Sequence, residues 1–321
     1  VRDRPEELDD GAVAEALADG WRVDAAELEY VPVGGGSYHW TVRGADGTRA
    51  FATADDLDRK AWLGDTRAEV FENLTRAFDT AAALRDAGLE SVVAATRSRD
   101  GETVRRIDER YTVAVFPFIE GETGSFGEYT TERDDVLRML VELHRATPAV
   151  QRIARRAELD LPGRSGLETA LRELDQPWTG GPLSESARKA LAAGAAHVQD
   201  LISLADRLLA EIRARNPDWV VTHGEPHAAN VMRTAARYVL IDWDTVALAP
   251  AERDLWMLAG EDMSAYTDAT GHEVDEAAVR FYRLAWDLGD LSEYLTVLRA
   301  PHRRTRDTER AYESVRDFAA N

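Results

Sequence analysis

Within residues 220–258 the chain carries His223-Gly224-Glu225-Pro226-His227-Ala228-Ala229-Asn230 and, soon after, Ile241-Asp242-Trp243-Asp244. A carboxylate and a carboxamide therefore share one short stretch, and a second carboxylate ends an apolar run. Phosphoryl transfer from a nucleotide calls for these groups: a carboxylate to orient or deprotonate the acceptor hydroxyl, and oxygen ligands for magnesium on the phosphates. The runs Trp219-Val220-Val221, Val231-Met232-Arg233 and Tyr238-Val239-Leu240-Ile241 are of strand type. Gly224 and Pro226 oppose a regular helix between them, which leaves Glu225 and Asn230 on a loop. They also argue against zinc, because the i, i+4 spacing of His223 and His227 joins two imidazoles only on a helix. A His-x-Glu zinc deaminase needs a Pro-Cys-x-x-Cys partner, and the chain has no cysteine.

The run resembles the H-G-D-x-x-x-x-N catalytic loop of the aminoglycoside phosphotransferase family, relatives of the protein kinases. Ile241-Asp242-Trp243 resembles that family's metal-binding segment. The resemblance implies Glu225 as catalytic base, Asn230 as a metal ligand and Asp242 as the principal metal ligand. Asp254, in Glu252-Arg253-Asp254-Leu255, matches the acidic residue that anchors the loop. ATP or GTP and Mg2+ are the implied cofactors, and a hydroxyl on a small molecule is the implied acceptor. The implied fold is α+β, a two-lobed protein-kinase-like fold. Residues 1–116 would form its antiparallel-sheet, nucleotide-binding lobe, and residues 117–321 a mainly helical lobe with the catalytic loop, metal site and acceptor pocket. Spectinomycin-type and aminoglycoside phosphotransferases are the substrate precedent, with antibiotic resistance as the implied role.

Such groups need a frame. Strand-like residues 28–33 run into Gly34-Gly35-Gly36-Ser37, where backbone N–H groups can approach nucleotide phosphates without a Cβ in the way. Residues 38–43 and 49–53 flank Ala45-Asp46-Gly47, a hairpin signal, so three antiparallel strands are expected. Val70, Phe71, Leu74, Phe78, Ala81 and Leu84 recur at helical spacing up to Gly88, with Thr66 and Glu69 at capping-box distance. A further strand pair is expected at residues 92–95 and 111–116, around Asp100-Gly101. Phe116-Pro117-Phe118-Ile119-Glu120-Gly121 resembles the family's hinge, in which the backbone of Phe118 and Ile119 would meet an adenine edge. Apolar spacing then predicts helices from near Thr131 through His144, over residues 198–212 and over 279–298. Gln176-Pro177-Trp178-Thr179-Gly180-Gly181 reads as a break, and His144 as a packed residue rather than a ligand.

The chain departs from the family at two places. Glu225 stands where the family has aspartate, which extends the carboxylate by about 1.5 Å. Kinases also carry a lysine on the third strand for the α and β phosphates. Aligning residues 49–56 to that strand puts Ala52 or, by preference, Thr53 at the lysine position; Lys60 lies beyond it, and magnesium, the glycine-loop amides, Lys60 folding back or a different nucleotide pose are the ways to compensate. The competing reading is therefore a catalytically weak or inactive kinase-like protein that binds nucleotide or a small ligand.

Composition bounds the partners. A formal net charge of -20 repels nucleic acid and anionic lipid and attracts a cationic acceptor. Glu261, Asp262, Asp287, Asp290 and Glu293, interleaved with Trp286 and Tyr294, are candidates to line a pocket for one. No run approaches the roughly 18 apolar residues of a membrane span, and the first residues do not resemble a signal peptide. A cytoplasmic location is expected, in keeping with the absence of cysteine.

Overall fold

The computed structural model describes residues 2–5, 7–124, 133–258 and 263–320. Along the chain run α1 (Asp10–Trp21), β1 (Ala25–Val31), β2 (Tyr38–Gly44), β3 (Arg49–Asp56), α2 (Arg67–Asp86), β4 (Arg105–Arg106), β5 (Tyr111–Pro117) and β6 (Glu122–Thr123). There follow α3 (Arg133–Arg145), α4 (Thr147–Val150), α5 (Arg164–Arg172), α6 (Ser184–Arg215), β7 (Val220–Thr222), β8 (Val231–Arg233), β9 (Tyr238–Leu240) and β10 (Ala247–Ala249). Beyond them lie α7 (Glu252–Leu255), α8 (Ser264–Thr270), α9 (Glu276–Arg299) and α10 (Arg306–Ala320). Two compact units divide the chain, Val1–Glu158 with Asp218–Val274, and Leu159–Pro217 with Asp275–Asn321.

In the first unit an antiparallel sheet has the order β1-β2-β3-β5-β4. The Asp46-Gly47 turn joins β2 to β3, with Gly47 at φ 85°, where glycine is favoured. Tyr38, Trp40, Val42, Ala52, Ala54 and Val113 pack with Val13 and Leu17 of α1 in one buried cluster. Strand alternation turns His39, Thr53 and Asp55 to the opposite face. β3 runs three residues past its expected end at Thr53, because Ala54, Asp55 and Asp56 pair with Val113, Thr112 and Tyr111 of β5. Arg110 holds Asp56 there through two bonds, Nε to Oδ1 at 3.0 Å and Nη2 to Oδ2 at 2.7 Å.

α2 starts at the expected capping box: Glu69 N donates to Thr66 Oγ1, and Thr66 N donates to the Glu69 carboxylate at 3.0 Å. Val70, Leu74, Phe78, Ala81 and Leu84 are its buried face. Each fully buried leucine of this kind contributes roughly 1.5–3 kcal/mol. The strand expected at residues 92–95 does not form; Val92 makes an isolated parallel bridge to Leu240, and β4 is the edge partner of β5. Val93 N donates to Leu240 O at 3.1 Å and Leu240 N to Ser91 O at 2.7 Å, so this stretch follows β9. β8 lies between β6 and β9, and β7 pairs with β10, so the loop between β7 and β8 is clamped at both ends. The expected helix start at Thr131 lies outside the described residues.

The second unit is helical. Leu167 of α5, Leu191 and Val198 of α6, Phe281, Leu288 and Leu295 of α9, and Val315 of α10 share one core. The break before α6 is set by close approach, since a Cβ on Gly180 would stand 2.2 Å from Arg299 O. No helix among the described residues is long and apolar enough to cross a membrane. Removing the α2 cap by Thr66→Ala should lower the unfolding free energy by about 1 kcal/mol, read as a lower urea midpoint at an unchanged m-value.

Candidate active site

The loop between β7 and β8 is built around Asp254. This buried carboxylate accepts from His223 N at 2.9 Å, from Gly224 N at 2.6 Å and from His144 Nε2 at 3.0 Å. His144 Nδ1 meets the hydroxyl of Tyr266 at 2.6 Å, so His144 is packed, as expected. Burial alone would raise the Asp254 carboxyl, but its bond and charge interaction with His144 outweigh burial and hold it below the usual carboxylate range. Gly224 has φ 99° and lies so close to Arg253 that a Cβ would stand 2.4 Å from Nη2. Only glycine fits there.

His223 is fully buried, and burial pulls its pKa down, so the ring is neutral. Its Nε2 donates to Ile241 O at 2.9 Å, which leaves Nδ1 to accept from Glu225 N at 3.2 Å. One imidazole thus joins the loop to the Asp242 segment. Glu225 is half-buried on the loop, and Asn230 closes a 3-10 turn, Ala228–Asn230. Asn230 Nδ2 donates to Glu225 O at 3.0 Å, while its amide oxygen accepts no hydrogen bond among the described residues. Ile241 N donates to Asn230 O at 3.0 Å, which sets Asn230 beside the strand end that leads into Asp242.

Asp242 has φ 67°, a left-handed conformation that Asp and Asn tolerate better than other side chains with a Cβ. Trp243, fully buried, fixes this turn by donating from Nε1 to Leu240 O at 2.9 Å and meeting the His223 ring at 4.6 Å. The Asp242 residue is open to solvent on one side and crowded elsewhere; that crowding and then Asp244 push its carboxyl up to about 7.

Two further residues join the site. After β3, the 3-10 turns Leu57–Arg59 and Ala61–Leu63 enclose Lys60, whose side chain is fully buried. Its Nζ donates to Asp244 Oδ2 at 2.5 Å and to Ser37 Oγ at 3.2 Å, and pairs with Asp55 Oδ1 at 3.0 Å. Burial works against its charge, but Asp244 and Asp55 override that effect and raise its pKa, so Lys60 is charged. Ser37 Oγ also donates to Asp55 Oδ1 at 2.5 Å. A cation therefore does reach this site, from beyond the strand. Thr53, at the position expected of the strand lysine, instead bonds His39 Nδ1 at 3.2 Å. The sequence signal for Lys60 was its rarity, since Lys60 and Lys189 are the only lysines among many arginines.

Gly34, Gly35 and Gly36 are exposed, and a Cβ on Gly36 would lie 3.6 Å from Lys60 Nζ and 3.8 Å from Trp62. In the hinge, the Phe118 ring lies 3.7 Å from the Arg49 guanidinium, and Ile119 lines a cavity of about 510 Å³ with Ala82, Val93 and Val239. Gly121 abuts β8, where a Cβ would stand 2.7 Å from Arg233 O. On α9, burial followed by Glu293 and Asp287 pushes Asp290 up to about 7. Glu261 and Asp262 lie outside the described residues.

The donor set suits a hard cation. Asn230, Asp242 and Asp244 supply oxygens, and Asp55 Oδ2 is buried without a hydrogen-bond partner. Among the described residues no group of three or more His, Cys, Asp or Glu side chains is placed to hold a metal ion by itself.

The chain belongs to the phosphotransferase enzyme family (APH), whose profile matches residues 42–294. It is similar to Protein StrN of Streptomyces griseus, 28% identical over 264 residues that cover 79% of each chain. Spectinomycin phosphotransferase APH(9)-Ia, solved with ADP and spectinomycin, has the same fold at TM-score 0.73 and 16% identity, with 98% of each chain covered. Macrolide 2'-phosphotransferase MphH from Brachybacterium faecium matches at TM-score 0.53 and 15% identity, over 97% of this chain and 98% of its own. The expected α+β fold, an antiparallel sheet at the amino terminus followed by a mainly helical part, is the one observed.

Asp254→Asn should cost about 3 kcal/mol at neutral pH, as breaking one side of a buried charged pair does. Because the folded carboxyl is held low, its contribution is complete above an unfolded pKa of about 3.9 and is lost as pH falls through the folded value. Denaturant midpoints should therefore differ most at pH 7 and begin to converge only as pH falls below about 3.9.

Proposed function

We propose that this chain is a small-molecule kinase that moves the γ-phosphoryl group of ATP or GTP to a hydroxyl of its acceptor. The observation that carries this reading is Lys60, charged and buried between Asp55 of β3 and Asp244 of the metal segment, beneath the glycine turn. In this reading Gly34, Gly35, Gly36 and Ser37 offer backbone N–H groups to the phosphates, beside Lys60 and Thr53. The main chain of Phe118 and Ile119 meets the nucleobase. Residues 1–116 cover the nucleotide, and residues 117–321 carry the catalytic loop, the metal ligands and the acceptor pocket. Asn230 and Asp242 hold Mg2+, which when bound offsets phosphate charge.

Glu225 takes the proton of the acceptor hydroxyl. The acceptor oxygen bonds the γ-phosphorus as the bond to the β,γ-bridging oxygen breaks, and nucleoside diphosphate leaves. The chain's acidity and the carboxylates Asp287, Asp290 and Glu293 support an amine-bearing, hydroxylated acceptor, antibiotics among them. The family's spectinomycin and macrolide phosphotransferases support the same class. The second reading, an inactive nucleotide binder, drew on the missing strand lysine, and Lys60 weakens it.

Phosphorus NMR of MgATP and MgGTP with a panel of hydroxylated amines should reveal a new phosphomonoester. Nucleotide binding without any transfer across the panel favours the second reading. Glu225→Gln should lower turnover by about 10² to 10⁴ with nucleotide affinity retained; unchanged turnover means that this carboxylate is not the base. Asp242→Ala should remove the magnesium-dependent part of ATP affinity by calorimetry. Lys60→Met should weaken ATP by about tenfold or more while sparing adenosine, because Asp55 and Asp244 are then left uncompensated beneath the phosphates.

A further inference from the structure

Two guanidiniums lie side by side at the catalytic loop without a carboxylate partner. Arg253 donates from Nη1 to Thr222 Oγ1 at 2.8 Å and from Nη2 to Thr245 O at 3.0 Å. Its planar head rests against Gly224, the residue before Glu225. Arg155 reaches the same Thr245 carbonyl with Nη2 at 3.5 Å, and its Nε is buried without a hydrogen-bond partner. Arg155 Nη1 and Arg253 Nε likewise make no hydrogen bond among the described residues. Three N–H-bearing nitrogens are thus unengaged. Both residues are half-buried, so a ligand can reach them.

Charge makes the pair unusual. No Asp or Glu oxygen among the described residues lies within 4.0 Å of either head. Elsewhere in this acidic chain Arg110, Arg164 and Arg188 each hold a carboxylate. Asp244 and Glu158 act on Arg155, and Asp254 on Arg253, only from farther off, while Arg76 and Arg253 repel Arg155. Burial and then Arg253 pull Arg155 down to about 10, the direction expected of a cation lacking its counter-ion.

We propose that Arg155 and Arg253 form an oxyanion site that receives one carboxylate or phosphate group of a ligand engaged at the catalytic loop. Paired guanidiniums present parallel N–H groups that match the geometry of such anions. The site's link to the transferred group rests on the phosphotransfer reading, whereas the anion pocket itself does not.

The test follows the Nε–Hε resonances of Arg155 and Arg253 in ¹⁵N-labelled protein during separate titrations with inorganic phosphate, acetate and the magnesium complex of a non-hydrolysable ATP analogue. Saturable shifts of both resonances are expected with at least one oxyanion. A response to the analogue alone assigns the site to nucleotide phosphate, and a response to phosphate or acetate assigns it to an anion of the acceptor or product. Arg155→Gln should weaken the Arg253 response by about tenfold or more, the loss of a bond to a charged group. Phosphate should also raise the Tm of the wild type more than that of Arg155→Gln. Resonances unmoved by all three ligands overturn the site, even if the enzyme transfers phosphate. Shifted resonances in a protein that transfers nothing keep the site and reject the kinase reading.

Discussion

The active-site architecture hangs on a carboxylate that water never reaches. A buried negative charge is tolerated only where donors converge on it, and Asp254 collects them from two consecutive backbone N–H groups and one imidazole. Consecutive N–H groups can face one acceptor only if the chain bends sharply, which is what φ 99° at Gly224 accomplishes. The bend sends Glu225 onward and leaves the His223 ring aimed at Ile241 O. Ile241 N in turn reaches Asn230 O. Glu225, Asn230 and Asp242 therefore share one hydrogen-bonded lineage that begins at the buried carboxylate of Asp254.

Lys60 solves a separate electrostatic problem. Asp55, Asp242 and Asp244 in proximity would repel one another, and a single ammonium between two of them relieves only part of that excess. The remaining negative potential lies toward Asp242, the exposed member of the three.

What the sequence made legible follows from locality. The Asp46-Gly47 hairpin, the Thr66–Glu69 cap and the periodic face of α2 are decided within a few residues, and each formed as read. Loop placement of Glu225 was equally local, since Gly224 and Pro226 act on their own backbone. Lys60 read only as one of several substitutes for the strand lysine, because Ala54, Asp55 and Asp56 have poor strand propensity and β3 read as ending at Thr53. Pairing with β5, about sixty residues away, overrode that propensity and moved the lysine's starting point. Residues 92–95 failed in the opposite direction: Leu240 of β9 took up Val92 and Val93, and β5 is met just beyond them, where Thr96 N donates to Val115 O at 2.6 Å. The Arg155 and Arg253 pair left no pattern at all, because 98 positions separate two residues that meet on one carbonyl.

The cap on α2 has a consequence for control. In protein kinases the phosphate lysine is paired with a glutamate on the helix after the third strand, so swinging that helix breaks the pair and silences the enzyme. Here Glu69 is committed to closing its own helix, and Lys60 takes its counter-ions from β3 and from the segment after β9. α2 also holds the turns around Lys60, through Asn73 Nδ2 donating to Leu63 O at 2.7 Å and the Arg67 pair with Asp58, so any movement of α2 would carry those turns with it. Where a signalling kinase keeps its helix glutamate for the lysine, this chain has tied that glutamate to the helix's own first turn and lodged its buried lysine between two aspartates.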